Sequence, residues 1–177
     1  VNQIGANDNL IFDGNSFILD KNGSKIKQLK PFSEDLSSWE IEQTEPEKNK
    51  FENSEMSSIF DALVLGVKDY AKKCGFKTAL IGLSGGIDSA LVSAIATAAL
   101  GSDNIYCVSM PSKWSSSHSK SDAKDLARRL KINFNSIPIE NLMTSFEESF
   151  IKTIDFEMAE ITNQNIQSRI RGTLLMA

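Results

Sequence analysis

Short apolar runs alternate with helical patterns between residues 78 and 137, and few folds accommodate that order. Thr78-Ala-Leu-Ile81 with Leu83, Ile105-Tyr-Cys-Val108, and Phe134 to Ile137 are too short for helices and read as buried strands. Between the first two lies Ile87 to Leu100, rich in Ala and Leu, free of proline and followed by Gly101. Between the last two, Ala123, Leu126, Ala127 and Leu130 recur at helical spacing, entered through Ser119 or Ser121 as N-cap. Strands joined by single helices pair in parallel through right-handed crossovers. The expected fold is α/β, half of an open doubly wound parallel sheet. Ligands of such sheets sit beyond the carboxyl ends of the strands, and the first such end is Gly82-Leu83-Ser84.

The flanks read differently. Ile59, Phe60, Leu63, Val64, Val67 and Tyr70 mark an amphipathic helix over residues 56–74, stopped by Gly75. Two further helical patterns follow the last strand, around Leu142–Phe150 and from Phe156 to the end. Residues 1–32 read as β structure: Leu10-Ile-Phe12, Phe17-Ile-Leu19 and the stretch resuming at Ile26 and Leu29, with turns at Asp13-Gly14 and Asp20-Lys-Asn22-Gly23. Residues 33–55 carry eight acidic residues against Lys48 and Lys50 and read as a solvated linker, with Trp39 as an anchor. The expected organisation is therefore 1–32, an acidic linker 33–55, and an α/β domain from 56 to 177.

The net charge of −4 and pI of about 5.1 disfavour nucleic acid and polybasic membrane binding. No stretch reaches the roughly 18 apolar residues of a membrane span. Cys74 and Cys107 make neither a disulfide framework nor a C-x-x-C pair, so a reduced, cytoplasmic setting is expected. The start at Val1 and the helix-compatible run into Ala177 read as an internal fragment of a longer polypeptide. The helix over 56–74 is expected to offer a self-association surface, which implies a homo-oligomer.

The chemistry is concentrated in Ser84-Gly85-Gly86-Ile87-Asp88-Ser89, where the first strand meets its helix. Adjacent glycines let backbone N–H groups approach an anion, and the helix start adds positive potential. Ser84 and Ser89 can donate to phosphate oxygens. Asp88 suits Mg²⁺ better than bare phosphate. The spacing is neither a Walker loop nor a dinucleotide fingerprint. A plain Gly-Gly turn with a Ser/Asp helix cap is the other reading of these residues.

This loop resembles the pyrophosphate loop of the N-type ATP pyrophosphatases. Met110-Pro-Ser-Lys-Trp-Ser-Ser-Ser-His-Ser119 and Asn165-Ile-Gln-Ser-Arg169-Ile-Arg171-Gly172 are similar to segments of glutamine-dependent NAD synthetases. Asn2-Gln-Ile-Gly5 with Leu10-Ile-Phe-Asp-Gly14 resembles the last strands of their nitrilase-like glutaminase domain. The resemblance implies an adenine nucleotide alpha-hydrolase-like fold preceded by the end of that nitrilase-like domain. It implies that ATP adenylates the nicotinate carboxylate of deamido-NAD, and that ammonia from glutamine then displaces AMP. Gly82, Leu83, Ser84, Gly85, Gly86, Ile87, Asp88, Ser89 and Met110 would bind ATP, with Ser84 and Asp88 at the reaction and Asp88 on Mg²⁺. Asn165 and Arg169 would address deamido-NAD. The glutaminase Cys, Lys and Glu of the family lie upstream of this sequence, and Cys74 and Cys107 do not replace them. Downstream acid and substrate ligands are also outside it, so the segment alone is expected to be inactive. Ser168 stands where the family commonly has Ala. GMP synthetases, tRNA-thiolating enzymes and a non-catalytic ATP/AMP-binding module share the loop; the charge and the nitrilase-like start argue against the first two.

Other residues have plainer readings. Arg169 and Arg171 are two apart and share no helix face, so one is expected to be a surface charge; Arg169 is the one assigned to the substrate. His118 reads as solvent-exposed and Ser115–Ser117 as loop. The cysteines read as buried small hydrophobes and Phe146 and Phe150 as core. Lys124, Arg128, Arg129 and Lys131 read as a solvated helix face.

Overall fold

The computed structural model describes residues 1–40, 51, 54–151 and 160–177, with only the backbone of 150 and 151. Most of the acidic linker and the start of the last helical pattern at Phe156 therefore lie outside the described residues, as does the side chain of Phe150. The chain forms two units, Val1–Phe76 and Lys77–Ala177.

In the first unit, β1 (Ile4–Asn7) pairs antiparallel with β2 (Leu10–Asp13), and β3 (Phe17–Leu19) with β4 (Lys25–Gln28). The Asn22-Gly23 turn forms as expected. Gly23 takes φ +84°, and the Asp20 carboxylate accepts from the amides of Asn22 and Ser24, both at 2.8 Å. Asp13-Gly14 does not join a hairpin, since β2 and β3 belong to separate two-stranded sheets. Lys27 Nζ lies 5.6 Å from the centre of the Trp39 ring, a cation–π contact that holds the tryptophan.

The helix α1 (Glu55–Cys74) is capped by Ser54, whose side chain accepts from the Ser57 amide, and ends at Gly75 with φ 75°. It packs on β1 and β2. Ile11 Cδ1 sits 3.3 Å from where a Cβ on Gly66 would stand, and the Ala6 amide donates to Asp69 Oδ2 at 2.7 Å. The apolar stripe read from the sequence is not its inward side. Ile59, Phe60, Leu63, Val67 and Tyr70 are all exposed, because the turns around Gly66 and Asp69 face the strands.

The second unit has the expected three parallel strands in the order β5 (Ala79–Gly82), β6 (Ile105–Ser109), β7 (Asn133–Ser136). The Leu83 amide donates to the Val108 carbonyl at 2.9 Å, extending the first ladder one residue past Gly82. α2 (Ile87–Leu100) and α3 (Ser117–Leu130) are the crossovers. α4 (Glu140–Ile151) and α5 (Glu160–Met176) follow.

Alternation along β6 divides the core. Ile105 and Cys107 join Leu83, Ala96, Ala123 and Ala127 in one cluster with α2 and α3. Val108 turns the other way, to Met110, Ile139, Met143 and Ile170 beside α4 and α5. Helices on both faces make the sheet doubly wound. Alanines at 123 and 127, almost fully buried, let α3 lie close to the strands.

Three details depart from the sequence reading. The N-cap of α3 is Ser116, which accepts from the Ser119 amide at 3.0 Å, rather than Ser119 or Ser121. Ser117 is already helical. Phe146 is 55% exposed and is not core, and Cys74 is exposed, while Cys107 is buried as expected.

Candidate functional site

The site starts from Leu83. Its side chain is 1% exposed and anchors the strand end in the core, so the chain leaves the sheet at a fixed point. Ser84 then turns out into solvent. Gly85 takes φ +83°, and a Cβ there would come 2.2 Å from the Ser119 carbonyl oxygen. No other residue type fits both the backbone angle and the closeness of α3.

A serine pair closes the loop. Ser84 Oγ and Ser89 Oγ are 3.0 Å apart. Ser89 Oγ also accepts from the Ser84 amide at 3.3 Å and donates to the Gly86 carbonyl at 3.0 Å. The Gly86 amide donates to Ser84 Oγ at 3.1 Å. The sequence alternative of a simple helix cap is not what forms: Gly86 is the N-cap and has no side chain to cap with. The first backbone bond of α2 runs from the Ala90 amide to the Gly86 carbonyl, 3.1 Å. Among the described residues, the amides of Ile87, Asp88 and Ser89 therefore donate to no protein acceptor. Three free donors at the positive end of a helix are suited to phosphate oxygens.

Asp88 is exposed in the first turn of α2. Among the described residues no group of three acidic, His or Cys side chains gathers to hold a metal. One carboxylate beside a phosphate cradle still fits Mg²⁺, which keeps waters and shares its shell with phosphates.

Beside the loop opens a cavity of about 300 Å³. Gly82, Leu83, Ser84 and Met110 line it, at the carboxyl ends of β5 and β6 where the fold predicts a ligand. Met110 is largely buried, and its Cε is 3.4 Å from where a Cβ on Gly82 would stand, so a side chain at 82 would crowd it. Gly85, Gly86 and Ile87 border a separate cleft with Asp122, Asp125 and Arg129. That cleft and the cavity share no lining residue.

On α5, Asn165 and Arg169 are both exposed, and Arg169 Nη1 reaches only the Asn165 carbonyl, at 3.5 Å. Arg171 is the arginine that turns inward and lines the cavity. Its Nε donates to the Met110 carbonyl at 3.1 Å and its Nη2 to Gln167 Oε1 at 3.3 Å. Burial pushes its guanidinium below its ordinary value. Lys120, Ser115 and Ser119 line the same cavity. No motif in the sequence marks Lys120 or Arg171 as cavity-lining; the signal for Arg171 is its place one residue after the core position Ile170, which turns it away from Arg169.

Comparison with known proteins is consistent with this geometry. The family model for NAD synthase matches residues 59–177. The chain belongs to the NAD synthase family. It is 44% identical to the glutamine-dependent NAD(+) synthetase of Synechocystis sp., a match covering all of this chain and 33% of that protein. The corresponding enzyme of Rhodobacter capsulatus is 39% identical, over the same shares. The structure of glutamine-dependent NAD+ synthetase from Acinetobacter baumannii in complex with ADP superimposes with a TM-score of 0.88 at 36% identity, covering 98% of this chain and 34% of that one. The chain thus spans about a third of the length of the relatives it matches. Among the described residues no helix is long and apolar enough to cross a membrane.

Proposed function

We propose that this chain carries the ATP-activating site of a glutamine-dependent NAD synthetase. ATP lays its two terminal phosphates against the free amides of Ile87, Asp88 and Ser89, and the Ser84 and Ser89 hydroxyls give up their bonds to Ser89 Oγ and the Gly86 carbonyl to donate to phosphate oxygens. Gly85 and Gly86 keep side chains out of the way. The nicotinate carboxylate of deamido-NAD attacks the α-phosphorus, the bond to the bridging oxygen breaks, and pyrophosphate leaves. Ammonia, released from glutamine elsewhere in the polypeptide, attacks the acyl carbon and AMP departs with a carboxylate oxygen. Asp88 would hold Mg²⁺, which would supply charge neutralisation for the departing pyrophosphate. The protein's share is positioning and electrostatic stabilisation of the leaving group. Asn165 and Arg169 are proposed to address deamido-NAD from α5, Arg169 by its planar fork. The exposed apolar stripe of α1 supports a homo-oligomer.

The observation that carries this reading is the serine-locked loop with three unused amides, opening beside a cavity at the strand ends. Equilibrium dialysis with Mg·ATP on the polypeptide at the relatives' full length tests it. Ser84→Ala with Asp88→Ala should lower ATP affinity by about tenfold or more. Unchanged affinity contradicts the assignment.

A further inference from the structure

Arg171 is a half-buried cation with no anion beside it among the described residues. Its guanidinium offers five N–H donors, and only two are engaged, by the Met110 carbonyl and by Gln167. Both partners are neutral. Among the described residues it makes no ion pair, whereas Arg128 and Arg129, on the exposed face of α3, share Asp125. A desolvated positive charge without a counter-charge is costly to keep, and here it borders a cavity. Lys120, which also lines the cavity, likewise makes no ion pair among the described residues. The bonds to Met110 and Gln167 also hold the guanidinium in one orientation, so little freedom remains to be lost on binding.

We propose that Arg171, with Lys120 lining the same cavity, supplies the counter-charge for an anionic group of the cavity's occupant, the phosphate nearest the ribose of an adenine nucleotide. The assignment rests on the nucleotide reading above and adds to it a second anion contact, outside the Ser84–Ser89 loop. The loop takes the departing pyrophosphate; Arg171 and Lys120 take the phosphate that stays with the adenosine.

Adenosine and AMP differ by that phosphate alone, so comparing them isolates the contact. Binding of adenosine, AMP and Mg·ATP is measured by titration calorimetry on the polypeptide at the relatives' full length, for wild type, Arg171→Met, Arg171→Lys and Lys120→Met. Arg171→Met should lose roughly tenfold in AMP affinity with adenosine affinity held within about twofold. Arg171→Lys should retain part of the preference for AMP. Lys120→Met, an exposed change on a helix that should fold normally, should lose about threefold for AMP alone. A parallel fall for adenosine and AMP in Arg171→Met makes the residue only a brace for the Met110 carbonyl and overturns the proposal. So does an AMP affinity that none of the three variants lowers. A wild type that binds none of the three ligands overturns the nucleotide reading itself, a result distinct from either.

Discussion

A Cβ built on Gly85 would stand 2.2 Å from the carbonyl oxygen of Ser119. Backbone meets backbone there, so no rotamer can relieve the clash. Gly85→Ala must also hold φ near +83°, a region that L side chains rarely adopt. The variant should lose about 1–3 kcal/mol of stability and bind ATP at least about tenfold more weakly. Gly86→Ala meets only Ser84 Oγ at 3.3 Å with an ordinary φ of −86°, so its effect should be smaller. Thermal unfolding and ATP titration of the two variants side by side check the order.

Ser89 gathers three polar contacts of the loop onto one oxygen. Ser89→Ala should leave the fold intact, at a cost of about 0.5–1.5 kcal/mol, because the loop is solvated and water can replace these bonds. Phosphate binding should suffer more than stability. ATP affinity and the urea midpoint measured on the same preparation separate the two effects.

The two thiols should behave oppositely. Cys107 is buried under α2, and burial pushes its thiol above the ordinary value of 9.0. It is therefore covered and protonated at pH 8. Cys74 is exposed at the end of α1. With an aromatic disulfide reagent and peptide mapping, Cys74 should be labelled rapidly in the native protein and Cys107 only after denaturant is added. Rapid labelling of Cys107 would contradict the packing of β6.

Asp69 sets the acid limit of the first unit. Its carboxylate accepts from the Ala6 amide and pairs with Lys73, and these hold it below the ordinary value of 3.8. A carboxylate lowered on folding stabilises the protein above its unfolded value, and that stabilisation is lost as pH falls through the folded one. The α1–β1 contact should therefore weaken below about pH 4. Asp69→Asn should be less stable than wild type near pH 7 and should converge with it toward pH 2. Urea midpoints across that range decide it.

Much of this was legible in the sequence because the signals were local. The strand-helix alternation gave the parallel order, and Asn22-Gly23 gave the only hairpin turn called correctly. The misreadings share a cause. The serine run from 115 to 121 offers several equivalent caps, and the choice of Ser116 depends on where α3 meets the Gly85 loop. The apolar stripe of α1 is exposed, and apolar spacing alone does not show that the turns around Gly66 and Asp69 form its packed side. Arg171 was set aside because a charge beside a core position carries no mark of the cavity that α5 and β6 make together. Ile4–Asn7, a strand with one large apolar residue, shows through its pairing with β2 rather than its composition.

The proposed role of this loop is transfer of an adenylyl group to a carboxylate. Deamido-NAD labelled with oxygen-18 in both carboxylate oxygens tests it most directly, in the polypeptide at the relatives' full length with Mg·ATP and glutamine. One labelled oxygen should appear in the AMP phosphate and none in pyrophosphate, with no transfer when Ser84 and Asp88 are replaced together by alanine. Label appearing in inorganic phosphate, or AMP formed without label, would contradict it.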